Sequence, residues 1–152
     1  SRRVVCMGQG SSMVLSEEAW TLFSTVSPKF LFVPDSHLQM NTLALMDPDE
    51  LVRFFSYSGS TRDCQDLREV ARQRQVKVVL VSRFPKSPGG QLADVVLQCG
   101  ADEWPLQAGS VNARMAQLFV RDVLFQDFRM RAPEETEQSR EQIAEAVARK
   151  HL

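Results

Sequence analysis

The chain contains no long apolar run, no even set of cysteines and no excess of charge of one sign, and each absence excludes a class of protein. No apolar stretch approaches the roughly 18 residues that a membrane span requires, and no signal peptide opens the sequence. Three widely spaced cysteines, Cys6, Cys64 and Cys99, are typical of reduced buried thiols rather than of a disulfide framework. The 18 basic residues nearly balance the 19 acidic ones and form no basic run. We therefore expect a cytoplasmic protein whose own surface binds neither membrane nor DNA.

Within these limits the chain alternates strands with helices. Its 152 residues, 43% of them apolar, are enough for one domain with a substantial core. The predicted strands, each a short apolar run, cover 3–7, 30–33, 51–55, 77–82 and 95–98. The predicted helices cover 12–26, 35–46, 60–74, 110–130 and 134–150. This alternation predicts an α/β fold with right-handed crossovers, in which a parallel sheet lies between two layers of helices as a three-layer sandwich.

Two hydroxyl-rich turns follow two of the predicted strands. Ser56 to Thr61 (Ser-Tyr-Ser-Gly-Ser-Thr) comes directly after the apolar run 51–55, and Gly8 to Ser12 (Gly-Gln-Gly-Ser-Ser) follows the apolar run 4–7 in the same way. Because the carboxyl ends of parallel strands meet at one edge of a sheet, the two turns should lie at the edge where such folds bind ligands. The sequence therefore predicts a site for a small anion that is held by neutral donors.

The turn at Ser56 to Thr61 has the chemistry of a phosphate site. A helix N-terminus supplies unpaired backbone N–H groups and the positive end of the helix dipole, and hydroxyls complete the set of donors. Ser56, Ser58 and Thr61 are spaced so that one curled turn points all three inward, while Gly59 lets the backbone approach the ligand. The alternative is an ordinary turn followed by a helix cap, for which the same residue types are favoured.

Gly8 and Gly10 also begin a dinucleotide fingerprint, and Asp35 stands where a ribose-binding acid would be expected. Met13, however, occupies the position of the third glycine, where a large side chain obstructs the packing of helix against strand. A Walker loop is excluded as well, because no Gly-Lys-Ser/Thr sequence is present. We therefore expect no nucleotide cofactor and no metal centre.

The motifs together resemble the sugar isomerase (SIS) domain, most closely the effector domain of RpiR-type bacterial transcriptional regulators. The resemblance covers nearly the whole chain. It rests on five short motifs, Gly-x-Gly-Ser-Ser at 8–12, Asp-x-His-x-Gln at 35–39, Ser-Tyr-Ser-Gly-x-Thr at 56–61, Ala-Asp-Val-Val-Leu at 93–97 and Arg-x-x-Gln-Leu at 114–118 with Asp122. The third motif is specific for the superfamily, and the second and last favour the regulators.

The resemblance implies a flavodoxin-like five-stranded sheet, a phosphorylated sugar as effector, and assembly into a homodimer or homotetramer. It also implies an N-terminal helix-turn-helix domain, absent from this chain, through which DNA would be bound. The family's helix before the first strand is missing too, so we expect the sequence to be a piece of a longer protein.

The resemblance assigns roles to eleven residues. Those implied for the phosphate are Ser56, Ser58, Gly59, Ser60 and Thr61, with Gly59 and Ser60 acting through their backbone. Those implied for the sugar are Gly10, Ser11, Ser12, His37, Glu103 and Arg114. The last three have alternatives: an interface position for His37, a solvated loop acid for Glu103 and a surface ion pair for Arg114.

Two functions remain open. A sensor domain binds a phosphosugar and changes the arrangement of attached DNA-binding domains. An aldose-ketose isomerase must in addition move a proton between adjacent carbons, which requires a positioned base. The conceivable bases are Glu17, Glu18, His37 and Glu103, and none has a spacing that marks it. The sequence thus favours the sensor and assigns no catalytic residue.

The predicted helix 110–130 indicates self-association. It is apolar around more of its circumference than a helix packed on one side requires, so a partner subunit should cover part of it. The alternative is that all its apolar residues face the domain's own core. The mostly polar helix 134–150 is expected to be a solvated face or a dimer arm.

Overall fold

The computed structural model describes residues 1–100 and 111–149. It contains a sheet of five parallel strands in the order β2-β1-β3-β4-β5. The strands are β1 (Val4–Gly8), β2 (Phe30–Phe32), β3 (Leu51–Phe55), β4 (Lys77–Ser82) and β5 (Val95–Gln98). The five predicted strands are confirmed to within one residue at each end. Their order is that of flavodoxin-like doubly wound folds, and the predicted α/β three-layer sandwich is confirmed.

Six helices accompany the sheet in the described chain. They are α1 (Ser11–Phe23), α2 (Ser36–Ala44), α3 (Arg62–Gln73), α4 (Pro88–Gln91), α5 (Val111–Arg131) and α6 (Pro133–Ala148). Asp35 caps α2 by accepting a hydrogen bond from the Leu38 N–H at 2.9 Å. The short α4 was not predicted, because the prolines and glycines of 85–90 indicate a turn. In the described chain no helix is both long and apolar enough to cross a membrane.

The helices cover the two faces of the sheet. On one face α2 and α3 pack over a core that includes Met7, Phe54 and Leu80. On the other face α1 and α5 cover two smaller apolar clusters, one containing Phe55 and Val81 and the other containing Phe23. Every residue of β1 is buried, which explains why this strand lacks an alternating polar pattern.

The three cysteines are buried and unpaired, as predicted. Burial raises the pKa of Cys6 and of Cys99 to about 11, although nearby Arg53 and Arg83 respectively oppose the shift. Both thiols therefore stay protonated at neutral pH and behave as small apolar side chains.

A buried carboxylate joins the starts of β1 and β3. Glu50 is 2% exposed, and its side chain forms ion pairs with Arg3 at 2.6 Å and Arg2 at 3.4 Å. It also accepts a hydrogen bond from the Asp47 N–H at 2.9 Å. Burial by itself would raise the pKa of Glu50, but this hydrogen bond and the two arginines outweigh it and lower the pKa below 4.5. The charged form is therefore stabilised by folding.

Replacing this carboxylate should weaken the fold in a pH-dependent way. We expect Glu50→Gln to lose about 1–2 kcal/mol of unfolding free energy at pH 7, less than for a fully buried pair because both arginines keep contact with solvent. A lowered pKa in the folded state stabilises the protein above the pKa of the unfolded chain and ceases to do so as pH falls through the folded value. Urea unfolding at pH 7 and pH 3.5 checks this, and a difference between variant and parent that is equal at both pH values would contradict it.

Candidate functional site at the carboxyl edge of the sheet

The pairing of β1 with β3 determines where the predicted site lies. These neighbours run parallel, with Gly8 opposite Phe55, so both strands end at the same level. From β1 the chain passes to α1 on one face of the sheet, and from β3 it passes to α3 on the opposite face. The two turns therefore diverge and leave a crevice between them. This is the topological switch point, where open α/β sheets bind ligands.

The crevice is a cleft of about 250 Å³ that contains most of the predicted ligand residues. Its ten lining residues are Gln9, Gly10, Ser11, Ser12, Phe54, Phe55, Ser56, Tyr57, Ser58 and Thr61. None of the ten carries a formal charge, and five contribute aliphatic hydroxyls. The structure thus brings together the two hydroxyl-rich turns that the sequence placed on separate strands.

The turn after β3 is curled by Gly59, whose φ is +62°. Ser58 and Thr61 line the cleft, and both residues are exposed. The Ser58 Oγ accepts a hydrogen bond from the Ser60 N–H at 3.3 Å, which leaves its own proton for a ligand. Thr61 precedes the first residue of α3 but makes no side-chain cap bond. Both hydroxyls therefore stand beside a helix N-terminus and are able to donate to an anion.

Ser56 lines the cleft and also stabilises the turn after β3. It is 6% exposed, and its Oγ accepts a hydrogen bond from the Gly59 N–H at 3.2 Å. Its hydroxyl also lies within hydrogen-bonding reach of the Cys64 thiol, whose pKa is raised by burial despite nearby Arg68 and this contact. Ser56 thus holds the turn from below, and its predicted contact with phosphate stays a prediction.

The segment around α4 supports the turn from behind. The Gly89 N–H donates to the Gly59 carbonyl at 2.8 Å, and the Ser82 Oγ donates to the Tyr57 carbonyl at 3.0 Å. A methyl group on Gly59 would overlap the Ser87 side chain, whose Oγ caps α4 by accepting from the Gly90 N–H. Gly59 and Ser60, predicted to act through their backbone, do not line the cleft. Gly59 is instead the residue through which the turn packs against the segment around α4.

The turn after β1 is held by a buried amide. The Gln39 Nε2 donates to the Gly8 carbonyl at 3.0 Å and to the Val33 carbonyl at 2.8 Å. It thereby fixes the end of β1 to the end of β2. Gly10 then takes a positive φ of 56° as the residue before α1, and Ser11 and Ser12 begin the helix beside the cleft.

The other three predicted sugar ligands lie elsewhere or outside the described residues. His37 is exposed and lines a separate cavity of about 210 Å³, which shares only Gln9 with the cleft. Arg114 is exposed near the start of α5 and is not part of the cleft lining. Glu103 falls outside the described residues. The structure of the described chain therefore brings neither His37 nor Arg114 into contact with the cleft.

Four lining residues were not predicted from the sequence. Phe54 and Phe55 belong to the predicted strand 51–55, and both are 1% exposed. Tyr57 and Gln9 lie inside the two turn motifs, but they are neither glycines nor aliphatic hydroxyl residues. Their position between predicted ligand residues was the signal that could have identified them.

With this geometry in place, comparison with known proteins identifies the family. The model of the SIS domain matches residues 1–126, most of the chain. The chain belongs to the SIS domain family. The match includes both turns of the cleft and the first part of α5.

Several curated proteins that are similar to this chain are HTH-type transcriptional regulators. An uncharacterised HTH-type regulator from Providencia stuartii is 29% identical over 82% of this chain and 44% of its own length. The HTH-type transcriptional regulator RpiR of Escherichia coli K12 is 27% identical over 78% of this chain and 40% of its own. The chain thus spans less than half the length of these relatives. Among solved structures, Vibrio vulnificus NanR complexed with ManNAc-6P superposes with a TM-score of 0.88 at 24% identity, over 97% of this chain and 56% of NanR.

Gly59 and Gly10 provide a matched test of how the turn is packed, because both have a φ near +60°. A methyl group on Gly10 would meet nothing within 4 Å, whereas one on Gly59 would overlap Ser87. Gly10 combines its positive φ with a ψ of −130°, so Gly10→Ala should cost about 1–3 kcal/mol of unfolding free energy from backbone strain alone. Gly59→Ala should lose a further 1–3 kcal/mol, roughly, from overpacking. Urea unfolding of both variants measures the difference, and equal losses would show that Ser87 does not restrain the turn.

Proposed function

We propose that the chain is the phosphosugar-binding effector domain of an RpiR-type regulator of carbohydrate metabolism. The observation that carries the proposal is the uncharged cleft at the switch point, in which hydroxyls from two turns stand beside two helix N-termini. The similarity to HTH-type transcriptional regulators supports the same function. In the full protein, DNA would be bound in the cytoplasm by a separate helix-turn-helix domain.

The phosphate is assigned to the turn between β3 and α3. Ser58 and Thr61 donate their hydroxyl protons, and the first N–H groups of α3 add donors that have no partner within the helix. Ser56 lies behind them and Gly59 keeps the turn curled. The sugar then extends toward the turn after β1, where Gln9, Ser11 and Ser12 offer donors and acceptors for hydroxyls. Gly10 keeps the backbone of that turn close to the ligand.

The cleft favours a sensor over an isomerase. Among the described lining residues there is no carboxylate and no imidazole to move a proton. Glu18 is committed to an ion pair with Arg121 at 2.8 Å, and Glu17 is exposed outside the cleft. His37 borders the neighbouring cavity instead. Binding without turnover is sufficient for a sensor, because only a difference in affinity between two assemblies is needed.

The exposed side of α5 supports a homodimer. Four apolar side chains spaced four residues apart form one stripe along this helix, and all are more than half exposed: Val111, Met115, Phe119 and Val123. A contiguous apolar stripe of this kind is typical of an interface. We assign it to contact with a second copy of the chain, and this agrees with the prediction made from the helix's sequence.

A charge in the stripe should separate the subunits. Phe119 is 69% exposed, so Phe119→Glu removes little buried surface. We expect the parent chain and a charge-matched Asn112→Glu control on the exposed side of α5 to be dimers at micromolar concentration by light scattering. Phe119→Glu should be a monomer with the same circular dichroism spectrum as the control. A parent chain that is already monomeric would contradict the assignment.

Removing one hydroxyl from the phosphate turn should weaken ligand binding. The probes are hexose, pentose and N-acetylhexosamine phosphates, including ManNAc-6P, each paired with its unphosphorylated sugar. Because a hydrogen bond to a charged group contributes about 1.5–3 kcal/mol, Ser58→Ala should lose about tenfold or more in affinity by calorimetry. Ser60→Ala is the matched control, since Ser60 keeps its backbone N–H and its side chain lies outside the cleft. Equal affinity of parent and Ser58→Ala, or of a sugar and its phosphate, would remove the turn from the site.

The same incubations carried out in deuterated water distinguish sensor from isomerase. A sensor returns the ligand unchanged. Deuterium at the carbon beside the carbonyl would demonstrate proton abstraction, and it would replace the sensor proposal with the isomerase alternative.

A further inference from the structure

An arginine is buried behind the phosphate turn, the segment from Ser56 to Thr61. Arg68 is 2% exposed and is the largest fully buried side chain in the described chain. It lies on α3, the helix that begins at Arg62 directly after this turn. Because side chains of a helix lean toward its N-terminus, Arg68 extends back toward the turn rather than away from it.

Two buried side chains connect Arg68 to the cleft. Cys64 is four residues before Arg68, so both lie on the same face of α3, and the thiol is beside the guanidinium. The thiol is fully buried and is within hydrogen-bonding reach of the Ser56 hydroxyl. Ser56 lines the cleft and accepts a hydrogen bond from the Gly59 N–H at 3.2 Å. The path from the guanidinium to the phosphate turn therefore runs through the protein interior.

The described chain balances the charge of Arg68 only in part. Burial lowers the pKa of the guanidinium, while Cys64 and Asp94 oppose the shift, and an arginine keeps its proton at neutral pH. The Asp94 carboxylate also accepts a hydrogen bond from the Lys77 Nζ at 3.0 Å and one from the Val78 N–H at 2.8 Å. This one carboxylate thus serves two cations, and positive charge remains behind the turn.

Two exposed carboxylates near the start of α3 oppose this charge, but solvent weakens their effect. Asp63 and Asp66 line the neighbouring cavity of about 210 Å³, and both residues are exposed. Water and salt screen such charges strongly, whereas a buried charge that acts through the interior is screened much less. The buried cation therefore has the larger effect on an anion at the turn.

We propose that Arg68 makes the cleft selective for a doubly charged phosphomonoester over a singly charged anion of the same shape. This inference rests on the proposed phosphate site. The hydroxyls and N–H groups of the turn recognise the tetrahedral oxygens that phosphate and sulfate esters share. A buried cation instead attracts a ligand in proportion to the ligand's charge. Arg68 acts in this way without touching the ligand, from roughly 9 Å along the axis of α3.

The test compares methyl phosphate with methyl sulfate, which are similar in shape but carry about two charges and one charge, respectively, at about pH 8. NMR titration of the Gly59 and Ser60 N–H signals gives both dissociation constants and locates the binding at the turn. The parent chain should bind methyl phosphate more tightly than methyl sulfate. Arg68→Met should reduce this preference by about fivefold or more, the effect of one unit charge at roughly 9 Å in a partly screened interior.

Two further variants separate the charge of Arg68 from its packing. Arg68→Lys keeps the charge and should keep the parent's preference for methyl phosphate. Arg72→Met is the matched control, because Arg72 is exposed one turn further along α3 and its charge is screened by solvent. Its preference should equal that of the parent. A purely structural role of Arg68 would weaken both anions by the same factor and leave the preference unchanged.

Arg68→Met should fold, because Asp94 keeps its contacts with Lys77 and Val78 and the desolvation cost of a buried cation is removed. If it does not fold, Arg68→Gln replaces it, since glutamine retains hydrogen-bonding groups and lacks the charge. An unchanged preference in the folded neutral variant would overturn this proposal alone. No saturable binding of methyl phosphate to the parent would overturn the phosphate site and this proposal together.

Discussion

The pairing of β1 with β3 is the constraint on which the remaining structure depends. Hydrogen bonds between the strands bring Gly8 beside Phe55, while the chain leaves the two strand ends toward opposite faces of the sheet. Since the backbones cannot fill the space between them, a crevice remains open there. The strand order also places β2 at one edge and β5 at the other, so that both turns of the crevice lie within the sheet's interior. The cleft is thus a consequence of topology before any side chain is considered.

The side chains make the lining of the cleft neutral and hold its two turns in position. The hydroxyls of Ser58 and Thr61 lie on a turn whose carbonyls accept hydrogen bonds from the Gly89 N–H and the Ser82 hydroxyl. The Gln39 amide holds the facing turn. A site prearranged in this way spends less of its binding energy on ordering itself. Neutral donors would also release an anion more readily than a ring of arginines would, which agrees with the proposed role as a sensor.

Each face of the sheet has one buried arginine in its core. Arg68 lies on α3 and is 2% exposed, and its electrostatic neighbours are the Cys64 thiol beside it and the Asp94 carboxylate. It projects into the core from the helix that begins at the turn 56–61, and its charge adds to the positive potential at that end of the helix. Arg53 lies on the other face of the sheet, with its guanidinium against the Phe23 and Phe30 rings. Each costs desolvation energy that a purely apolar core would avoid.

The sequence by itself determined the order and type of the long elements and the two hydroxyl-rich turns, because periodicity, caps and glycine positions are local properties. It also indicated the edge at which the turns meet, since parallel strands leave little choice. It did not reveal α4 or the backing of Gly59 by Ser87, because these are contacts between segments nearly thirty residues apart. Nor did it distinguish Ser58 and Thr61, on the surface of the cleft, from Ser56 beneath the turn, or exclude His37 from the lining. Those distinctions depend on which atoms the packed core leaves accessible, and only the tertiary structure decided them.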